Sequence, residues 1–277
     1  MLKYKIFMML FATRVALCDC HSEKNQLFRQ ETKQYAIHQI GKMPENINES
    51  SGLIDNNDGT LLTHNDGGGN AEIYKINTSG KLLETVPIAH AQNIDWEDIT
   101  KDTNGNLYIG DFGNNAHNRK DLGIYKVTEN ATKKINFRYA DQSTFPAQYK
   151  NFDCEAFFWF KNHLYLFSKN WEKKYKTCKL YKLKDEEGNY TITPKDSITL
   201  KTAVTAAAIS PDNKHFALLT YGKILIFDII NDEINFKYPK ICIKTGRNQT
   251  EGITFINNNE LIFCNEQRKM YIVNYHN

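Results

Sequence analysis

A short cassette recurs five times along the 277 residues, and that recurrence limits the fold more than any other feature. It starts at Ser50-Ser51-Gly52-Leu53-Ile54, Trp96-Glu97-Asp98-Ile99-Thr100, Cys154-Glu155-Ala156-Phe157-Phe158, Ala206-Ala207-Ala208-Ile209-Ser210 and Thr250-Glu251-Gly252-Ile253-Thr254. With Ser51, Glu97, Glu155, Ala207 and Glu251 aligned, the steps are 46, 58, 52 and 44 residues. Propeller blades recur at roughly 40–50 residues.

Each start leads through a turn into a second apolar run, such as Gly105-Asn106-Leu107-Tyr108-Ile109, and then a third, such as Gly123-Ile124-Tyr125-Lys126-Val127. Asn57-Asp58-Gly59, Thr103-Asn104-Gly105 and Pro211-Asp212-Asn213 supply the hairpin chemistry between first and second runs. A fourth run is visible in four units, but the last unit lacks one. Tyr35 to Ile40 is an orphan strand ahead of the first unit and would complete the last, removing an open sheet edge. The expectation is an all-β chain, a propeller of five four-stranded blades over 34–277 whose N-terminal strand closes the last blade. Six blades are the alternative, with the extra one inside the 58-residue step.

Residues 1–20 read as an export signal, with a basic start and an apolar stretch from Ile6 to Leu17 that is too short to span a membrane. Val15-Ala16-Leu17-Cys18 has the form of a bacterial lipobox, so Cys18 is the expected lipidation site and 21–33 a flexible tether. The localisation implied is the cell envelope, lipid-anchored to a bacterial membrane; cleavage without lipidation gives a soluble secreted or periplasmic protein instead. Cys20 is the alternative modified cysteine. No cysteine spacing forms a metal knuckle, and no obligatory disulfide is expected. The net charge of +3, with signs interspersed, leaves no footprint for nucleic acid. The chain is expected to be a monomer that meets a membrane only through its anchor.

First strands line the channel of a propeller, so the cassette starts converge on one axis. Ser51, Glu97, Glu155, Ala207 and Glu251 form one ring there, and Glu49, Asp95, Asp153, Thr205 and Gln249 form another two residues earlier. Converging carboxylates repel unless compensated. Strand amides or channel water can satisfy them, Ca²⁺ can bridge Glu97, Glu155 and Glu251 through oxygen ligands, or a shared proton can leave one of them a general acid. Second-strand ends and the Gly/Asn-rich loops after them add candidate ligand-binding residues: Asn65, Asp66, Asp111, Asn114, Arg119, Lys169 and Asn265. Asp111 is the candidate base of a metal-dependent reaction. No Gly-x-Ser-x-Gly elbow or Walker loop is present.

Trp96-Glu97-Asp98-Ile99, Ile109 to Asn115 with Arg119, Asp153-Cys154-Glu155-Ala156, Val204 to Ala207 with Ser210-Pro211-Asp212, and Glu251-Gly252 occur in this order. In these motifs, from Glu49 to the C-terminus, the chain resembles the SdiA-regulated family of exported bacterial β-propellers. The resemblance implies a five-unit, secreted or lipid-anchored propeller and brings no catalytic mechanism. It implies Glu97, Asp111, Asn114, Arg119, Glu155 and Glu251 as functional positions. Where the family often carries Asp after Val-Thr-Ala-Ala, this chain has Ala208. Three functions remain open at this point: binding a small ligand or cation at the acidic mouth of the channel, a Ca²⁺-dependent lactonase-, esterase- or phosphoesterase-like hydrolase, and an interaction platform in the cell envelope.

Overall fold

The computed structural model describes Cys20 and residues 28–30, 35–169, 177–246 and 248–275. Residues 1–19 of the expected signal, Cys18 among them, lie outside these, as does most of the tether.

Two strands, β1 (Arg29–Gln30) and β2 (Tyr35–Lys42), precede the cassettes. Blade 1 comprises β3 (Ser50–Asp55), β4 (Thr60–Asn65), β5 (Glu72–Asn77) and β6 (Leu82–Pro87). Blade 2 comprises β7 (Trp96–Lys101), β8 (Leu107–Asp111), β9 (Gly123–Val127) and β10 (Thr132–Tyr139). Blade 3 comprises β11 (Asp153–Phe160), β12 (His163–Lys169), β13 (Thr177–Lys184) and, after the detached β14 (Gly188–Ile192), β15 (Pro194–Thr199). Blade 4 comprises β16 (Val204–Ile209), β17 (His215–Thr220), β18 (Lys223–Asp228) and β19 (Pro239–Lys244). Blade 5 comprises β20 (Thr250–Asn257), β21 (Glu260–Asn265) and β22 (Lys269–Tyr275), and β2 closes it with Ile37 opposite Val273.

The protein is therefore a five-bladed β-propeller closed by its N-terminal strand. The 58-residue step ends in a long connection over residues 140–152, with no sixth blade among the described residues. Two blades gain a fifth strand: β1 runs parallel to β19, and β14 crosses to run parallel to β10. Each addition covers a sheet edge.

Five apolar cores lie one between each pair of neighbouring blades. The largest interleaves blades 3 and 4, where Phe158, Phe167, Phe216 and Phe227 stack ring against ring. Another joins blade 5 to blade 1 through Met270, Ile262, Leu61 and Ile76, so apolar packing as well as strand pairing closes the ring. At roughly 1.5–3 kcal/mol per fully buried large apolar side chain, these five seams dominate the stability of the fold.

Every first strand carries a bulge at the same height. Pairing skips from Ser50 to Leu53, Trp96 to Asp98, Cys154 to Ala156, Val204 to Ala206 and Thr250 to Ile253. The bulge equates Ser51, Glu97, Glu155 and Glu251 with Thr205, not with the Ala207 chosen from the sequence alignment. Repeated alanines in Ala206-Ala207-Ala208 conceal that two-residue offset. An extra residue re-aims the side chains of a strand, so consecutive residues can face one channel.

Cys20 forms a disulfide with Cys242 on β19, against the expectation of none, so Cys20 is not available for modification. Sequence spacing hides this pair because 222 residues separate the partners and only ring closure brings them together. Cys154, Cys178 and Cys264 are buried free thiols.

Candidate functional site

The end of the channel where first strands begin and second strands end gathers most of the acidic candidates. Glu97 and Glu155 occupy the bulges, Asp95 and Asp153 lie just before them, and Asp66 follows β4. One carboxylate oxygen from each of Asp66, Asp95 and Glu97 lies within 4.8 Å of the others, and Glu97, Asp153 and Glu155 form a second such group. Glu97 belongs to both. Two glycines make this density possible. A Cβ on Gly113 would stand 2.1 Å from Oε1 of Glu97 and 2.5 Å from the carboxyl carbon of Asp95, and one on Gly67 would stand 2.4 Å from Oδ1 of Asp95.

Lys169 compensates the second group. Its ammonium is paired with Glu155, both side chains are buried, and it lies 5.7 Å from the ring centre of Tyr221. Burial works against this ammonium, but Glu155, Tyr221, Glu251 and Asp153 outweigh it and hold its pKa well above the ordinary lysine value. No ion pair of the described residues reaches the first group, and only the fields of Lys169 on Glu97 and Asp66 and of Arg119 on Asp95 offset its charge. Glu97 is only 4% exposed and its carboxylate has no hydrogen-bond partner among the described residues. Burial, followed by the fields of Glu155, Asp66 and Asp153, raises its pKa well above the ordinary value. Burial and Asp66 push Asp95 up to about 6, and burial also raises Asp66. Glu251 lies outside both groups; burial, with Glu266 and Asp66 adding to it against Lys169, pushes it up to about 8.

The other candidates support the site rather than face it. Asp111 is fully buried; it accepts from the backbone N–H of Asp95 (3.2 Å) and is ion-paired with Arg119 and Lys134 at 3.1 Å each. Both of its oxygens are thus committed, which leaves it no free position as a base. Asn114 accepts from the N–H groups of Asn118 and Arg119 at 2.9 Å, and its own N–H donates to Asp153 at 2.7 Å. Asn65 accepts from the N–H of Glu49 and donates to the carbonyl of Asn46, and Asn265 accepts from the N–H of Lys269. Arg119 also donates to the carbonyl of Gly113, fixing the loop that carries the glycine.

One carboxylate escaped the sequence reading. Asp98 is fully buried, and it accepts from the N–H groups of Ile99 (2.9 Å), Phe157 (3.1 Å) and Ala207 (3.3 Å), stitching blades 2, 3 and 4 together. It sits beside Glu97 in the cassette, and without the bulge strand alternation would send the two to opposite faces. Beyond it the opposite end of the channel is a hollow of about 270 Å³ with a mixed lining, in which Ile99, Phe158, Ala208 and Phe255 stand beside Asp55, Lys101 and Asp102. Ala208 therefore lies away from the acidic mouth.

No protein-family model matches the chain, and comparison with curated proteins gives no match. Among solved structures it is similar to a streptogramin B lyase at 10% identity and a TM-score of 0.47, covering 88% of this chain and 98% of that one. It is also similar to a catalytically inactive virginiamycin B lyase from Staphylococcus aureus with quinupristin, at 13% identity and a TM-score of 0.42. That match covers 82% of this chain and 66% of the lyase. Likeness this distant brings no activity with it.

Proposed function

We propose that the protein binds a divalent cation, Ca²⁺, at the acidic mouth of its channel through Asp66, Asp95 and Glu97, and presents that cation to a small anionic ligand. One observation carries this reading: Glu97 is a buried carboxylate without a hydrogen-bond donor, placed where two carboxylate groups meet. A buried carboxylate holds its proton unless a cation compensates the charge, so a bound cation would let Glu97 ionise. The donor set is all oxygen, which suits a hard cation taking six to eight oxygen ligands at about 2.3–2.6 Å. Asp66, Asp95 and Glu97 would hold the ion, and its charge would draw in the carboxylate, phosphate or carbonyl oxygen of the ligand. The sequence reading placed the ion on Glu97, Glu155 and Glu251; we place it one step round the ring because Lys169 already serves Glu155.

A metal-dependent hydrolase is the second reading, favoured by Glu251. With its pKa near 8 it keeps its proton at neutral pH, as a general acid for an ester, lactone or phosphoester leaving group must.

The reading extends to location: an exported protein, tethered through Cys18 or soluble after cleavage. The Cys20–Cys242 disulfide supports it, since such bonds persist in oxidising compartments. The ordered motifs shared with SdiA-regulated propellers point the same way.

Titrating Ca²⁺ calorimetrically into chelator-treated protein tests the cation reading. Saturable binding that Glu97→Gln abolishes is expected; no heat in the wild-type protein would sink it. A screen of esters, lactones and phosphoesters then tests the second reading. Turnover must fall in Glu251→Gln while Ca²⁺ binding persists.

A further inference from the structure

On the flank of blades 2 and 3, two adjoining cavities of about 440 and 500 Å³ meet at Thr191 of the crossing strand β14. Arg119, Lys120 and Arg138 line one; Lys182, Lys184, Lys195 and His163 line the other. No Asp or Glu lines either cavity, although the chain holds 32 of them. Arg119 is engaged with Asp111 and Asp121. Among the described residues Lys120, Arg138, Lys182, Lys184 and Lys195 have no carboxylate partner. Arg138 instead donates to the hydroxyl of Thr191 at 2.9 Å, joining the two cavities across β14.

Aromatic rings lie among these cations. Lys120 is 5.0 Å from the ring centre of Phe145, which lines its cavity, while Lys182 and Lys195 lie 5.7 and 5.8 Å from that of Tyr165, a buried residue outside the lining. Phe145 is 41% exposed, and Tyr190 lines the second cavity. Unpaired cations beside aromatic faces suit an elongated ligand that alternates negative charge with flat C–H surface. A sugar chain bearing carboxylates has that character, because its ring faces pack on aromatics while its acids meet lysine and arginine.

We propose that this groove binds an acidic, uronate-bearing glycan chain. Nucleic acid fits it less well. The protein's net charge is only +3, and Arg119, at one end of the groove, adjoins the carboxylate-rich mouth, which would repel a longer polyanion. The groove stands apart from the cation site, so its ligand should bind whether or not Ca²⁺ does.

Fluorescence anisotropy with a labelled oligogalacturonate, in chelator and at low salt, tests the assignment. Wild-type protein should bind saturably, and Lys182→Ala/Lys195→Ala or Arg138→Ala should weaken binding about tenfold, near 1.4 kcal/mol. Glu97→Gln and the remote pair Lys81→Ala/Lys237→Ala should bind as wild type does. All the substituted lysines, and Arg138, are exposed, so these variants should fold. Three results overturn the proposal: no binding, equal loss in the remote pair, or equally tight binding of single-stranded DNA of matched charge.

Discussion

Lys169 pairs with Glu155 on blade 3, while Glu97 on blade 2 shares the same group of carboxylates without a cation of its own. The mouth is thus half neutralised from within. Replacing Lys169 with Met should extend the demand for cation to the second group. A buried carboxylate that loses its partner costs about 3–5 kcal/mol. Lys169→Met should therefore melt well below wild type in chelator and recover with millimolar Ca²⁺. Thermal melts with and without Ca²⁺ check this, and a variant indifferent to chelation would count against cation binding here.

The pH dependence of stability follows from the direction of the shifts. A carboxyl whose pKa is raised by folding binds its proton more tightly in the folded state, so stability falls as pH climbs through the raised value. Burial lowers His64 to about 4 and also lowers His215; both act in the opposite sense below about pH 6.5, the ordinary histidine value. Between pH 6.5 and 8.5 the raised carboxyls dominate, with Glu251 near 8 and Glu97 well above its ordinary value. Chelated protein should lose melting temperature across that interval, at about 2–4 °C for each kcal/mol. Saturating Ca²⁺ should flatten the profile, because bound cation replaces the proton. A chelated profile that rises with pH would contradict the shifts.

Gly113→Ala isolates the close approach of loop and carboxylates. Its Cβ would meet the carboxylates of Glu97 and Asp95 inside contact distance, so they must turn away. Ca²⁺ affinity should drop by at least tenfold, about 1.4 kcal/mol. Calorimetry measures it, and unchanged affinity would remove Gly113 from the site.

The fold was legible because apolar runs and turns repeat at blade spacing, and a missing strand at one end matched an orphan at the other. The same alignment brought Asp95, Glu97, Asp153 and Glu155 to one end of the channel, but Glu251 falls outside both carboxylate groups. Three things were not legible. A bulge changes facing without changing composition, so nothing in the cassette marks Asp98 as an acceptor between blades, and the ring position of Thr205 fell to Ala207. Asn65, Asn114 and Asn265 satisfy backbone groups at turns, a role that residue type alone does not separate from ligand binding. The Cys20–Cys242 bond depends on where the N-terminal segment runs after the ring has closed.

Asp98 gives the sharpest test of how the ring holds together. Each of its three donors is a backbone N–H; two belong to first strands of other blades, whose channel-facing edges have no neighbouring strand. Asp98→Ala would leave the amides of Phe157 and Ala207 buried without an acceptor. Each orphaned donor costs about 1–3 kcal/mol. The variant should lose about 2–6 kcal/mol in denaturant titration, the sum for two such donors. Asp98→Asn keeps one acceptor oxygen and turns the other into a donor facing donors, so it should recover only part of the loss. Because Asp98 lies below the cation-binding carboxylates, whatever folded Asp98→Asn remains should bind Ca²⁺ with wild-type affinity. Loss of stability and Ca²⁺ binding together, in protein shown to be folded, would instead make Asp98 part of the cation site.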